Sequence, residues 1–282
     1  MADVSSAPDA AAAPPIGLVA IDLDGTLLTC DKKLSLRCVR AIDRAQRQGV
    51  AVVIASARPP RAVREIYRLL GLDTVQINYN GALIHDAPRK RHIFHRPLPV
   101  PLARHVTELA RRMDGSIAVS LEILDRWYTD HIVEGLETET SRSFDPDSIA
   151  PLHAYLNRPI TKLMLLAPPE RLAPVRECIG QRFEGQIGLA FTDPHLIQVH
   201  HPGACKARAL ERVARMYGVD RANVMAIGDA PNDESMLRWA GWGVAVANAW
   251  PQARNAAKAI VPSNDEDGVA FAIERYVLGE GP

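Results

Sequence analysis

Two aspartates separated by one residue, Asp22 and Asp24, are the first residues of the chain whose type and spacing could do chemistry. They follow a short apolar run, residues 16–21, of the kind expected for a strand buried on both faces. Two carboxylates at the mouth of such a strand are unfavourable unless a cation or hydrogen-bond donors receive them. The pattern points to a functional site, although an isolated Asp-x-Asp is more often only a strand that ends in a polar turn.

Further polar residues stand where other strands and helices are predicted to begin or end. Ser56 follows an apolar, β-branched run, and Asp229 follows another, with Asp233 shortly after it. Lys206 lies near the start of a predicted helix, where a cation and the helix N-terminus both favour an anion. Ligands of open parallel sheets lie beyond the carboxyl ends of the strands, so these residues together suit one phosphate group. Taken singly, Ser56 could be a helix cap and Lys206 a solvated surface lysine. Asp229 and Asp233 could be turn and helix-start residues.

The elements that must position these residues alternate between strand and helix on either side of a different central pattern. Residues 16–85 and 195–282 alternate apolar runs with amphipathic helices, as in a doubly wound parallel sheet. Consecutive strands with few helices occupy residues 86–194, which predicts an inserted α+β domain. Residues 1–15 are rich in Ala, Pro and Ser and are predicted to be a disordered tail. The fold class is therefore α/β: a Rossmann-like core domain with an α+β insert.

Composition and charge argue against several classes of function. Lys+Arg and Asp+Glu balance at 33 each, which leaves no electrostatic footprint for nucleic acid or an anionic membrane. No apolar run approaches the roughly 20 residues of a membrane span, and residues 1–15 lack the parts of a secretory signal. The four cysteines have no paired metal spacing, which predicts free thiols in a reducing compartment. We therefore expect a cytoplasmic protein, either a monomer or a homodimer, that binds neither nucleic acid nor membrane.

In combination and in chain order, these motifs resemble the haloacid dehalogenase-like hydrolase superfamily, most closely its Cof-type phosphatases with a large C2-type cap. The resemblance is carried by residues 22–28, 55–58, Lys206 and 228–233, and also by residues 80–82 and 264–270. It implies that the insert is a cap that covers the site and supplies specificity. Ala57 and Ala207 stand where the family often has glycine, and each added methyl group is expected to tighten the approach of the backbone to phosphate.

The resemblance also implies a role for each carboxylate. Asp22 would attack phosphorus to give an aspartyl-phosphate, and Asp24 would protonate the leaving oxygen and then deprotonate water. Mg²⁺ would be held by Asp22, the backbone carbonyl of Asp24 and Asp229, as suits a hard cation with oxygen ligands. Asp233 would bind that ion through water or orient the lysine.

The remaining residues of the resemblance would bind substrate. Ser56 and Lys206 would hold the phosphoryl oxygens, and Asn232 would join them. A further set would form a loop near the substrate: Ala57, Arg58, Asn80 and Gly81.

The expected function is therefore that of a Mg²⁺-dependent phosphatase acting on a small phosphorylated metabolite, such as a sugar phosphate or a related monoester. Asp24 argues against a dehalogenase, which needs no proton donor for its leaving group. A phosphomutase or phosphotransferase stays open, because the aspartyl-phosphate can pass to an acceptor other than water. A catalytically inactive binding or regulatory homologue is the alternative outside enzymes.

Overall fold

The computed structural model describes residues 14–138 and 140–280, without the side chains of Phe191 and Thr192. The predicted tail at residues 1–15 therefore lies outside the described residues, except for Pro14 and Pro15. Within the described ranges, every helix is too short or too polar to cross a membrane. The four cysteines are all described and are free thiols, as predicted.

The described residues form fourteen strands and eight α-helices. The strands are β1 (Leu18–Ile21), β2 (Ala51–Ile54), β3 (Val75–Asn78), β4 (Leu83–Asp86), β5 (Arg91–His95), β6 (Ala118–Ile123), β7 (Arg126–Thr129), β8 (Ser148–Ile149), β9 (Lys162–Leu166), β10 (Gly188–Asp193), β11 (Leu196–His200), β12 (Val224–Gly228), β13 (Trp242–Val246) and β14 (Ala259–Val261). The helices are α1 (Leu36–Arg47), α2 (Pro60–Leu69), α3 (Val100–Met113), α4 (Pro169–Arg182), α5 (Lys206–Met216), α6 (Glu234–Trp239), α7 (Pro251–Ala256) and α8 (Gly268–Tyr276). Short 3₁₀ turns include Tyr79–Gly81 and Pro231–Asp233.

The chain divides into two compact units. One contains the chain up to Arg91 and again from Cys205, and the other is His92–Ala204. These borders differ from the predicted insert at residues 86–194. On the early side, the β3–β4 hairpin and the turn after it belong to the first unit. On the late side, β11 pairs with β10 and with β9 of the second unit, so the predicted domain border near residue 194 falls in a hairpin turn.

The first unit is built on a five-stranded parallel sheet with the order β14-β13-β12-β1-β2. Strand β1, inside the sheet, pairs in parallel with β12 and β2, and Ile21 stands opposite Ile227 and Ile54. The side chains of β1 are fully buried, as expected for a parallel strand covered on both faces. This register brings the carboxyl ends of three strands level, so the residues after them lie at one edge of the sheet. The predicted parallel α/β core is confirmed.

A second, antiparallel sheet has the order β3-β4-β5. The sequence pattern predicts a strand at residues 75–77, which the structure confirms as β3, but it does not predict β4 or β5. Strand β3 pairs with β4, and an isolated parallel bridge joins Ile77 of β3 to Ala55, the residue after β2. The 3₁₀ turn between β3 and β4 carries Asn80 and Gly81, both at positive φ.

The second unit contains a six-stranded mixed sheet of the order β10-β11-β9-β6-β7-β8, which confirms an α+β insert. Alternate residues of β6 and β9, such as Leu121 and Leu163, pack into one apolar core with residues of α3 and α4. Residues on the other face of these strands, such as Ala118 and Met164, form a smaller cluster.

Candidate active site

Asp22 is the first residue after β1 and is buried at the carboxyl edge of the parallel sheet. Its backbone N–H donates to the carbonyl of Ile227 in β12, and its carbonyl accepts from the backbone of Leu27. The chain therefore leaves the sheet in a tight turn directly after this aspartate. Gly25 in that turn has φ +84°, a conformation that favours glycine.

Lys206 joins two of the carboxylates. Its Nζ donates to Oδ1 of Asp22 and to Oδ1 of Asp233, both at 2.6 Å. The side chain is fully buried, although it begins helix α5, because it points into the sheet edge and not into solvent. Burial alone would lower the pKa of Lys206, but the two carboxylates outweigh burial and raise that pKa above its usual value. The lysine is therefore a fixed positive charge.

Asp233 and Asp229 belong to the loop after β12, where the chain forms the 3₁₀ turn before α6. Oδ2 of Asp233 accepts from the backbone N–H groups of Asp229 and Ala230, at 3.1 and 3.0 Å. Oδ1 of Asp229 accepts from the hydroxyl of Thr26 at 2.7 Å. Asp233 therefore closes its own loop and orients the lysine, whereas Asp229 is held by Thr26 of the turn after β1.

The carboxylates of Asp22, Asp229 and Asp233 form one buried group. Each offers an oxygen within 4.8 Å of the oxygens of the other two. Burial is the main cause that raises the pKa of Asp22 well above its usual value and that of Asp229 to about 6, with mutual repulsion adding to it. Three carboxylates outnumber the one lysine, and hard oxygen ligands around a negative excess suit a divalent cation such as Mg²⁺. The group can therefore hold a metal ion.

Asp24 has the opposite surroundings. Its Oδ2 accepts from Nε of Arg58 at 2.7 Å, and its Oδ1 accepts from Nη2 of Arg58 at 2.5 Å and from Nζ of Lys32 at 2.7 Å. Partial burial would raise the pKa of Asp24, but the two cations together lower it below its usual value. Lys32 was not predicted, because a lysine in an exposed loop carries no sequence signal.

The loop after β2 holds Ser56 and Arg58. The hydroxyl of Ser56 is buried and accepts from the backbone N–H of Arg58 at 3.1 Å, while the carbonyl of Ser56 accepts from Asn80. The backbone N–H of Ser56 donates to the carbonyl of Ile77. The structure thus places Ser56 beside the end of β1, in a loop tied to the turn after β3. Ala57 lies in the same loop, and its methyl side chain has no polar atom with which to bind substrate.

Asn80 and Asn232 meet, although they are far apart in the chain. Nδ2 of Asn232 donates to Oδ1 of Asn80 at 2.9 Å. Gly81 is required for a close approach, since a Cβ there would lie 2.3 Å from the carbonyl oxygen of Cys205, the residue before the buried lysine. The turn after β3 therefore packs directly on the start of α5.

Two asparagines from loops near the end of the chain hold the turn after β1. Nδ2 of Asn248 donates to the carbonyl of Gly25 at 2.8 Å, and Nδ2 of Asn264 donates to the carbonyl of Leu28 at 2.8 Å. Oδ1 of Asn248 accepts from the backbone of Asn264, which links the two. The family resemblance includes residues 264–270 but implies no role for them, and no sequence signal indicates Asn248.

Comparisons with known proteins agree with this geometry. The model of the haloacid dehalogenase-like hydrolase family matches residues 19–273. The 5-amino-6-(5-phospho-D-ribitylamino)uracil phosphatase YitU of Bacillus subtilis strain 168 is 28% identical over 92% of this chain and 97% of its own. The HMP-PP phosphatase of Cronobacter sakazakii is 30% identical over 83% of this chain and 85% of its own.

Among solved structures, a haloacid dehalogenase-like hydrolase from Bacteroides thetaiotaomicron superposes with a TM-score of 0.82. It is 29% identical in sequence, and the match covers 92% of this chain and 99% of that one. The shared sequence and fold run through both units and not through the motifs alone. The chain therefore belongs to the haloacid dehalogenase-like hydrolases, and it is a Cof-type phosphatase of that family.

Proposed function

We propose that the protein is a Mg²⁺-dependent phosphatase that hydrolyses a small phosphorylated metabolite through an aspartyl-phosphate on Asp22. The observation that carries the proposal is the buried Nζ of Lys206, 2.6 Å from both Asp22 and Asp233 beside the group of three carboxylates. A phosphoryl group is the ligand that a fixed cation, a divalent ion and a nearby nucleophilic carboxylate accommodate together. Asp22, Asp229 and the backbone carbonyl of Asp24 would hold the ion, which supplies neutralising charge.

Asp22 would be the nucleophile. Its Oδ1 is bound to Lys206, which leaves Oδ2 to attack phosphorus while the ester oxygen departs. A carboxylate needs no base to activate it, but it must be ionised. The lysine favours the ionised form, and the divalent ion would add to that effect.

Asp24 would move the protons. It would give a proton to the departing ester oxygen, and afterwards take one from the water that hydrolyses the aspartyl-phosphate. In the free protein Arg58 and Lys32 favour the ionised carboxylate. A phosphate dianion placed beside Asp24 acts in the other direction, since a like charge raises the pKa of a carboxyl group.

Lys206 and Ser56 would bind the phosphoryl oxygens, and Asn232 would join them after exchanging its bond to Asn80. The named substrates of the two relatives, a phosphorylated ribitylaminouracil and HMP-PP, support a small phosphorylated metabolite as the substrate class. A sugar phosphate or related monoester stays within that class. The cytoplasm as location stays a prediction from the cysteines.

A screen of phosphate esters tests the proposal. We expect release of inorganic phosphate from at least one ester with Mg²⁺, and none after chelation or in the folded variant Asp22→Asn. Adding sugar acceptors separates hydrolysis from transfer of the phosphoryl group. A folded protein that binds Mg²⁺ and turns over no ester would contradict the proposal and favour a binding protein.

A further inference from the structure

Asp24 differs from the other carboxylates of the site in that a single guanidinium contacts both of its oxygens. Nε and Nη2 of Arg58 donate to Oδ2 and Oδ1 at 2.7 and 2.5 Å, a two-point contact. The side chain of Arg58 is only 16% exposed, against 45% for Lys32, the other cation on this carboxylate. A planar fork that contacts both oxygens fixes the plane of the carboxylate as well as its position. A single, more exposed lysine does neither.

Arg58 is itself held by the loop on which it lies. Its backbone N–H donates to the hydroxyl of Ser56 at 3.1 Å, and its carbonyl accepts from Nδ2 of Asn78 at 3.2 Å and from the backbone of Tyr79 at 3.4 Å. Asn78 is fully buried at the end of β3. The guanidinium therefore extends from a backbone anchored at both its N–H and its carbonyl, as a support for a neighbouring group requires.

We infer that Arg58 is a positioning residue for Asp24, which it holds in the orientation needed for proton transfer to the departing oxygen. The inference rests on the proposed function and deepens it, because it gives the loop after β2 a task other than contact with substrate. Asp24 is 35% exposed at its side chain and has no other two-point contact among the described residues. Without the fork, its carboxyl group can rotate away from the departing oxygen.

Proton donation matters only for some esters, which separates positioning from binding. An alkoxide departs poorly and needs the proton as the P–O bond breaks, whereas nitrophenolate is stable as an anion and needs none. General acid catalysis contributes roughly 10²- to 10⁴-fold where it is needed. Loss of Arg58 should therefore depend on the leaving group. Loss of a phosphate-binding arginine should not, because the phosphoryl group is the same in every ester.

The experiment compares kcat/KM for an alkyl ester, such as glycerol phosphate or a better substrate from the screen, with kcat/KM for p-nitrophenyl phosphate. For each ester, kcat/KM reports the steps up to formation of the aspartyl-phosphate, where the leaving group departs. For Arg58→Met we expect a loss of roughly 10²-fold with the alkyl ester and less than about 10-fold with the nitrophenyl ester. Asp24→Asn should likewise lose much more kcat/KM with the alkyl ester than with the nitrophenyl ester. The double variant should show no larger difference between the two esters than Asp24→Asn alone. Arg58→Lys should recover part of the alkyl activity.

Arg68→Met is the matched control. Arg68 forms the same fork on Glu65 in helix α2, but both side chains are mostly exposed, so both substrates should be hydrolysed as by the wild type. Inhibition by inorganic phosphate gives a second measurement, which we expect Arg58→Met to leave unchanged. Equal losses on both esters, or much weaker inhibition by phosphate, would overturn the inference and make Arg58 a phosphate ligand. That result leaves the proposed function intact, whereas a wild type inactive on every ester refutes both.

Discussion

Asp22 and Asp24 are two residues apart, yet the fold places their carboxylates in opposite surroundings. The buried group around Asp22 contains three carboxylates and one lysine, and burial raises the pKa of Asp22. The cluster around Asp24 contains one carboxylate and two cations, which lower the pKa of Asp24. Two carboxyl groups whose environments push their pKa values apart are the usual basis for two different catalytic tasks. The contrast arises because the chain turns at Gly25, so one aspartate faces the sheet edge and the other faces loops.

The largest effect is expected from removing the one cation of the buried group. Lys206→Met leaves three buried carboxylates without a counter-charge, which should lower the free energy of unfolding of the metal-free protein by roughly 3–5 kcal/mol. Phosphatase activity should disappear as well. Urea denaturation measures the first effect, and Lys33→Met, an exposed lysine beside Asp31, is the control. Because the divalent ion would replace part of the missing charge, Mg²⁺ should restore part of the stability. Unchanged stability would mean that the carboxylates are less closely coupled than the distances indicate.

A smaller loss of stability and activity is expected when a methyl group is added to the turn that separates the two aspartates. A Cβ at Gly25 would lie 2.6 Å from Oδ2 of Asp229, and φ is +84°. Gly49 has nearly the same φ, +83°, but open space around it. Both alanine variants should therefore lose about 1–2 kcal/mol of stability from backbone strain.

Activity should separate these two variants. Gly25→Ala must displace Asp229, so kcat/KM should fall roughly 100-fold, as expected for a misplaced ligand or reacting group. Gly49→Ala should keep wild-type kcat/KM. Equal activity of the two variants would show that the buried group tolerates movement of Asp229.

The buried group was easier to predict from the sequence than the surroundings of Asp24. Runs of apolar, β-branched residues indicate parallel strands buried on both faces, and a residue that follows such a run lies at the sheet edge. Asp22, Ser56 and Asp229 could be placed that way. Their joint order along the chain then matched a family motif set, and this made Lys206 a candidate.

Other features left no such trace. Strands β4 and β5 form a hairpin whose second strand, Arg91–His95, is mostly exposed and polar, so no apolar run indicated it. The contacts of Lys32 with Asp24 and of Asn248 with Gly25 join loops through single side chains. Such contacts depend on the complete fold and produce no periodic pattern. For the same reason the domain border near residue 194 was misplaced, since a hairpin turn and a linker look alike in sequence.

A moderate effect on the Mg²⁺ requirement is expected from removing the hydroxyl that holds Asp229. Thr26→Val removes the donor to Oδ1 of Asp229 and keeps nearly the same volume. Partners that orient a metal ligand contribute roughly 10- to 100-fold to affinity, so the Mg²⁺ concentration for half-maximal activity should rise by about 10-fold. Thr29→Val is the control, because the Thr29 hydroxyl accepts only from the backbone of Lys33 among its described contacts. An unchanged Mg²⁺ requirement would exclude Asp229 as a ligand whose orientation matters.

The smallest effect is expected in the pH dependence of stability without metal. The pKa of Asp229 is about 6 in the fold, above its ordinary 3.8, so the folded protein binds more protons than the unfolded chain between these values. Stability from this group is therefore full below about pH 4 and is lost as the pH rises through about 6. Asp24, with its lowered pKa, acts in the opposite sense and only below its ordinary value.

A partly buried histidine complicates a direct measurement, because the pKa of His95, about 4, makes the fold less stable as the pH falls below about 6.5. The useful quantity is the difference in the free energy of unfolding between the wild type and Asp229→Asn, both in chelator. Urea denaturation measures it at about pH 4.5 and about pH 7. Asp229→Asn removes the charge, so its advantage in stability over the wild type should be larger at the higher pH. Saturating Mg²⁺ should reverse that order, because the ion then favours the ionised wild-type carboxylate. A difference that does not change with pH would mean that Asp229 is ionised throughout, and the contrast between the two aspartates would then rest on Asp22 alone.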